Sequence, residues 1–255
     1  AEGLGAAALF AQPSGVALGA DGTLYVADAC NNRVVAGQPR GLRQSVSACG
    51  AAAEPAPPWR PASVSVVPYV WEVFAGEPGT PGSVDGQGRE ARLAGPQSLA
   101  AGADGSVYVA CGGDGAVRRL SPSGAVTTLP DSGTRLRAPV GIGVDRSGTC
   151  YVSDSAHVLW KADPSTGSLD PLAGCAGQRG SVDGRGEAAR FHFVPGVAVG
   201  ADGSVYVADC NNRTIRKVSP QGEVTTLAGR AGSVGCFDGT GAEARFMEPT
   251  ALAAD

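Results

Sequence analysis

The chain has 255 residues, 43% hydrophobic and 5% aromatic, and its 20 lysines and arginines against 24 aspartates and glutamates leave a net charge of −4. That length suits one large domain with a core of its own, and the acidic balance with so few aromatics excludes a phosphate-tracking nucleic-acid surface. No run approaches 18 uninterrupted apolar residues, so neither a membrane-spanning helix nor direct membrane insertion is expected of this segment. The opening AEGLGAAALF lacks the basic start and long apolar stretch of a signal peptide; because the chain begins without Met and in mid-repeat, a leader or anchor elsewhere is left open. The 39 glycines and 18 prolines recur at regular offsets, the mark of many short strands joined by tight turns.

Residues 1–12 read as the decayed end of a connecting segment, and a repeat begins at Pro13. Residues 13–33, PSGVALGADGTLYVADACNNR, match residues 195–213, PGVAVGADGSVYVADCNNR, almost position for position, with weaker copies from Pro96 and Pro139 and a fifth opening at Pro249 as PTALAAD. A self-similar period of about 40 to 50 residues points to propeller blades or solenoid repeats. The fourth copy shows the unit most fully. A short apolar run, Val197-Ala198-Val199, is followed by an Asp202-Gly203 turn and an alternating segment, Val205-Tyr206-Val207, which together predict a hairpin. A third strand is predicted over 214–218, a Pro-x-Gly turn at 220–222, and a fourth strand over 223–227. Four antiparallel strands make one blade, with small residues in the first strand, where blades converge. The long interval from Pro13 to Pro96 contains the Ala/Pro-rich residues 37–69, read as a loop insertion ahead of a fourth strand at 70–74; a degenerate hidden blade is the alternative. The expected fold is therefore all-β: a β-propeller of four complete four-stranded antiparallel blades plus the first strand of a fifth, spanning 1–255.

The segments GSVDGQGREARLAGPQSLA (82–100), GSVDGRGEAARFHFVPGVAVGADGSVYVADCNNRTIRKVSPQGEVTTLAG (180–229) and CFDGTGAEARFMEPTALAAD (236–255) resemble NHL-repeat proteins. More narrowly they are similar to a long-loop variant whose blades are joined by Asp-Gly-x-Gly-x-x-Ala-Arg-Phe linkers. NHL propellers commonly have six blades, so the resemblance implies a fragment of a six-bladed or larger propeller, and its motif speaks to fold more than to function. The pattern is broken where Cys111-Gly-Gly-Asp114 replaces the Asp-x-Asn-Asn-Arg corner, where a shortened corner carries His157, and in residues 130–137, which lack Asp-Gly-x-Gly.

Asp28, Asp154 and Asp209 end second strands, and Asn31, Asn32, Arg33, Asn211, Asn212 and Arg213 follow two of them as a candidate interaction surface. The competing reading is structural: each Asp accepts backbone N–H bonds at a tight corner and faces its own Arg. These corners offer too few oxygens for the six to eight that calcium takes. Asp85, Asp183 and Asp238 recur with Arg92, Arg190 and Arg245 seven residues on, which predicts an Asp-Gly turn followed by a helical turn with its Arg tethered nearby. Phe191, Phe246 and Leu93 read as plugs between blades. The two histidines, His157 and His192, fall on different blade features and are read as surface residues, too few for a metal cage. No nucleophile elbow, phosphate loop or dinucleotide fingerprint occurs. No catalytic residue, cofactor or metal site is assigned.

Strand counting puts six of the seven cysteines on the linker face. Cys175 with Cys210, and Cys30 with Cys49, are the expected disulfides, with Cys210–Cys236 as the rival pairing; they point to an extracellular or lumenal location, with small buried thiols in a cytoplasmic protein as the alternative. The functional expectation is a non-catalytic platform for a protein or glycan partner. The alternative is a propeller hydrolase or lyase whose channel metal site is completed by further blades.

Overall fold

The computed structural model describes residues 3–4, 9–39 and 69–254. The first sheet contains β1 (Gly3–Leu4), β2 (Pro13–Leu18), β3 (Leu24–Asp28), β4 (Arg33–Pro39) and β5 (Tyr69–Ala75). The second contains β6 (Gly86–Gln87), β7 (Pro96–Ala101), β8 (Val107–Cys111), β9 (Ala116–Leu120) and β10 (Ala125–Thr128). A helical turn, α1 (Ser132–Arg135), leads to the third: β11 (Pro139–Val144), β12 (Cys150–Asp154), β13 (Leu159–Asp163) and β14 (Ser168–Ala173). The fourth contains β15 (Gly184–Arg185), β16 (Gly196–Val199), β17 (Val205–Asp209), β18 (Thr214–Val218) and β19 (Glu223–Gly229). Every ladder is antiparallel, so the fold is all-β and consistent with a propeller.

In each sheet four strands meander in chain order, as the repeat predicts, because Asp-Gly and Pro-x-Gly turns reverse the chain between alternating segments. What the sequence does not announce is a further strand in three of the sheets. β1, β6 and β15 each lie in the segment leading into a sheet and pair with its fourth strand, β5, β10 and β19. Connecting segments therefore reach over and bind the outer side of the sheet they introduce. β4 and β5 pair as far as Pro39 opposite Tyr69; the rest of the expected insertion, 40–68, lies outside the described residues.

The core sits between successive sheets, in three clusters. Tyr25, Ala27 and Val34 meet Leu99, Val107 and Leu120; Tyr108 and Val117 meet Ile142 and Val152; Tyr151 and Leu159 meet Val205, Val207 and Val218. The innermost strands β2, β7, β11 and β16 pack in that order. Their small residues permit the approach: a Cβ on Gly141 would lie 2.6 Å from the Pro195 carbonyl oxygen. Residues 249–254 follow β16 in the same way, with the Thr250 carbonyl and Ala251 facing Gly196, yet they form no ladder. The expected fifth inner strand is not formed: residues 249–254 lie against β16 without ladder bonds.

Candidate functional site

The repeated corners are fastenings turned into the protein. Asp28, fully buried, accepts from the Ala11 N–H at 2.7 Å, Asn31 Nδ2 at 2.8 Å and Arg33 Nε at 2.7 Å. Asp209, also fully buried, accepts from the His192 N–H at 2.8 Å, Asn212 Nδ2 at 2.7 Å and Arg216 Nη1 at 2.9 Å. Burial pushes the Asp209 carboxyl up from its ordinary value against these bonds. In the third sheet Asp154 keeps the bond from the connecting segment, the Arg137 N–H at 3.3 Å, but takes the Ala156 and Val158 N–H groups and the Trp160 indole N–H in place of an asparagine and an arginine.

Of the six residues read as a surface, Arg33 and Asn212 are buried, Asn31, Asn32 and Arg213 are partly so, and Asn211 is exposed. Asn32 Oδ1 accepts the Gly95 N–H at 3.0 Å, and Asn212 Nδ2 also reaches the Gly180 carbonyl at 2.6 Å, so both tie a corner to a connecting segment. The two Asn-Asn-Arg tripeptides are not equivalent in space. The left-handed corner residue is Asn32 in one and Arg213 in the other, because Ala29 adds a residue and shifts the first corner by one. Asp28 therefore faces Arg33, while Asp209 faces Arg216 and not Arg213.

The linker aspartates do not serve the arginine seven residues on. Arg92 and Arg190 donate to the carbonyls of their own 3-10 turns, including Arg89 and Ala189. Asp85 instead accepts from Arg118 Nη1 and Thr128 Oγ1, both at 2.7 Å, and from the Thr128 N–H at 3.0 Å. Asp183 repeats this with Arg216 Nη2 at 2.5 Å, Thr226 Oγ1 at 2.9 Å and the Thr226 N–H at 3.1 Å. Each clasp is built on a cross-strand pair, Arg118 opposite Thr128 and Arg216 opposite Thr226. The guanidiniums are 1% and 0% exposed; Arg216 also lies over the Phe191 ring at 5.4 Å.

Desolvation would raise the Asp183 carboxyl, but the Thr226 N–H, the Arg216 guanidinium and the Thr226 hydroxyl outweigh it and hold it below the ordinary 3.8. A depressed folded value gives stability that is present above the unfolded value and is lost as pH falls through the folded one. The urea midpoint of Asp183→Asn is therefore expected to lie below that of the unaltered protein at neutral pH, with the gap closing below about pH 4. A gap that persists unchanged at pH 2 would contradict it.

Sequence spacing misses one pairing. The His157 and His192 rings meet edge to face at 5.7 Å, because the corner that carries His157 and the segment that carries His192 lie against one another. Burial, then the charges of Arg179 and His157, lower the His192 pKa. No group of three metal-ligating side chains occurs among the described residues.

The cysteine expectation is corrected. Cys30, Cys175 and Cys210 are free thiols, as are Cys111, Cys150 and Cys236, and Cys49 lies outside the described residues. Cys175 begins a turn whose Gly177 N–H bonds back to Ala156 of the third sheet, whereas the Cys210 N–H bonds to Phe193 at the far end of the same connecting segment. Cys30 Sγ instead donates to Gln12 Oε1 at 2.9 Å. Full burial pushes the Cys111 thiol up to about 12.

Along the innermost strands runs an open groove of about 810 Å³, lined by Ser14, Gln97, Ser98 and Thr250 among apolar residues such as Val140, Ile142 and Val197. Among the described residues, no ionisable side chain lines it.

The NHL repeat model matches residues 10–36. The chain is 36% identical over 84 residues to Protein SUPPRESSOR OF QUENCHING 1, chloroplastic, of Arabidopsis thaliana, covering 32% of this chain and 8% of that protein. It is 30% identical over 162 residues to Teneurin-3 of Danio rerio, covering 58% of this chain and 6% of that protein. The chain thus spans less than a tenth of either relative. Among solved structures, an auxiliary nutrient binding protein from Bacteroides ovatus superposes with a TM-score of 0.60 at 18% identity, over 96% of this chain and 54% of that one. A streptogramin B lyase superposes with a TM-score of 0.56 at 13% identity, over 87% of this chain and 56% of that one. The chain therefore carries an NHL repeat on a propeller-like all-β fold, a fold shared by a binding protein and a lyase.

Proposed function

We propose that this chain is part of an NHL-type β-propeller acting as a non-catalytic platform for a protein or glycan partner. In this reading each sheet is a blade, residues 249–254 open a fifth, the Asp-Gly-x-Gly segments are the linkers of the long-loop variant, and the insertion expected over 37–69 narrows to 40–68, between the third and fourth strands of the first blade. The neutral groove carries the proposal. Propeller hydrolysis or elimination needs acid, base or metal-ligating side chains converging on the inner strands, and here those strands present hydroxyls, an amide and aliphatic groups. The buried aspartates and arginines are occupied in joining strands and linkers.

The test uses glycan and protein arrays read before and after exhaustive EDTA treatment, alongside lactone and glycoside turnover assays. Retention of a ligand unchanged by EDTA, without turnover, is expected. Turnover that EDTA abolishes would overturn the reading in favour of a metal-dependent hydrolase or lyase.

A further inference from the structure

The turn between the first two strands of each meander lies at the end of the sheets away from the corners and linkers. Three of these turns read Gly-Ala-Asp-Gly, at 19–22, 102–105 and 200–203, and their aspartate holds the N–H two residues on, as Asp104 holds Ser106 at 2.9 Å. The turn of the third sheet, 145–148, reads Asp-Arg-Ser-Gly. There Asp145 takes over the task, accepting the Ser147 and Thr149 N–H groups at 2.8 and 3.0 Å. The middle positions are thereby released to Arg146 and Ser147, which line an open cleft of about 260 Å³ between the second and third sheets. Arg146 is exposed and has no hydrogen-bond or ion-pair partner among the described residues. Arg119 also lines the cleft, 2.9 Å from Asp104, at the register that Ala36 holds in the first sheet. The Tyr108 hydroxyl, close beside Gly148, and the Ser165 hydroxyl complete the polar lining. At the corresponding places after the first and third sheets, the next turn brings Ala103-Asp104 and Ala201-Asp202, an acid and no arginine.

We propose that this cleft binds a sugar residue bearing a carboxylate, its charge received by Arg146 and Arg119 and its hydroxyls by Ser147, Ser165 and Asp104. Two guanidiniums against the one lining carboxylate leave a single positive charge, and a guanidinium fork matches a carboxylate. The hydroxyls specify the rest of the ligand. Ser147 Oγ donates to Asp145 Oδ1 and Ser165 Oγ to Asp163 Oδ1, both at 2.6 Å, so each offers the cleft only oxygen lone pairs. Such acceptors call for a ligand rich in O–H donors as well as an anion, and a sugar acid is both. An acidic peptide side chain has no O–H to give, and its methylenes would find only Ala103 and Pro164 as apolar lining. The cleft shares no residue with the inner-strand groove, so this site and the binding proposal can each fail without the other.

The test is calorimetric titration of the 255-residue chain at low salt with oligosaccharides ending in galacturonate, glucuronate or sialate, beside their neutral counterparts and hexaglutamate. At least one acidic sugar is expected to bind, and its neutral counterpart about tenfold more weakly or not at all. Arg146→Ala is expected to weaken that binding by about tenfold or more, the loss of one charged hydrogen bond. Asp145→Gly, Arg146→Ala and Ser147→Asp together give the third sheet the turn of the other three; this variant is expected to lose the binding while its melting temperature stays within about 2 °C. Binding of none of the three acidic sugars, or equal binding by the unaltered protein and the three-residue variant, would overturn the proposal. Hexaglutamate binding more tightly than every sugar, and losing its affinity in Arg146→Ala, would overturn it in favour of an acidic peptide.

Discussion

Arg216→Ala is expected to destabilise the protein by about 3–5 kcal/mol, the range found when one partner of a buried ion pair is removed. The loss is large because Asp209 is fully buried and would keep its charge without a counterion, while Asp183 would lose the group that binds the linker to the fourth sheet. Burial already pushes the Asp209 carboxyl up, and removing the guanidinium pushes it further. A raised folded value means that the deficit of the variant shrinks as pH falls, since protonation removes the unpaired buried charge. Urea unfolding of both proteins at neutral and mildly acidic pH checks the size and the sign. Arg118→Ala is expected to cost less, because its acids Asp85 and Asp114 are 47% and 12% exposed and water can solvate them. Equal and small losses at both sites, under about 1 kcal/mol, would show that the clasps contribute little.

Phe191→Ala is expected to cost about 3–5 kcal/mol, as truncation of a fully enclosed ring does when its surroundings cannot collapse. The ring is 1% exposed, packed among Ala189, Val194 and Tyr151, and roofed by the Arg216 guanidinium. Gly174, at a φ of +94°, lets it come close: a Cβ there would stand 3.0 Å from the Phe191 ring. Phe246 occupies the matching place beside Gly229 but is half-buried, so Phe246→Ala is expected to cost about 1 kcal/mol. Denaturant melts of the two variants side by side decide it. Equal losses would mean that cover by the following sheet adds nothing to the plug.

The strands were legible because each is written in local signals. The predicted third strand over 214–218 is the observed one, and the predicted fourth, 223–227, extends by two residues to Gly229. The plugs Leu93 and Phe191 were legible from their recurrence. The clasps were not, since Asp85 and Arg118 are separated by a whole hairpin and nothing local joins them. The Arg118-Arg119 and Arg216-Lys217 pairs look like basic clusters along the chain. On a strand they point opposite ways: Arg118 and Arg216 inward to the linker, Arg119 and Lys217 outward to Asp104 and Asp202. The cysteine pairing failed for a related reason. Strand counting assigns a residue to one end of the sheets, but the connecting segment crosses from one sheet to the next, and Cys175 and Cys210 meet its opposite halves.

The short strands β6 and β15 occupy the outer sides of β10 and β19, where an uncovered row of backbone donors and acceptors would invite pairing with another chain. The third sheet has no such cover, and β14 is its edge among the described residues. That strand carries Pro171, which has no N–H to offer, beside the exposed charge of Asp170. Two different devices therefore guard the sheet edges in one chain: a covering strand where the linker supplies one, and a proline and a charge on the edge strand where it does not.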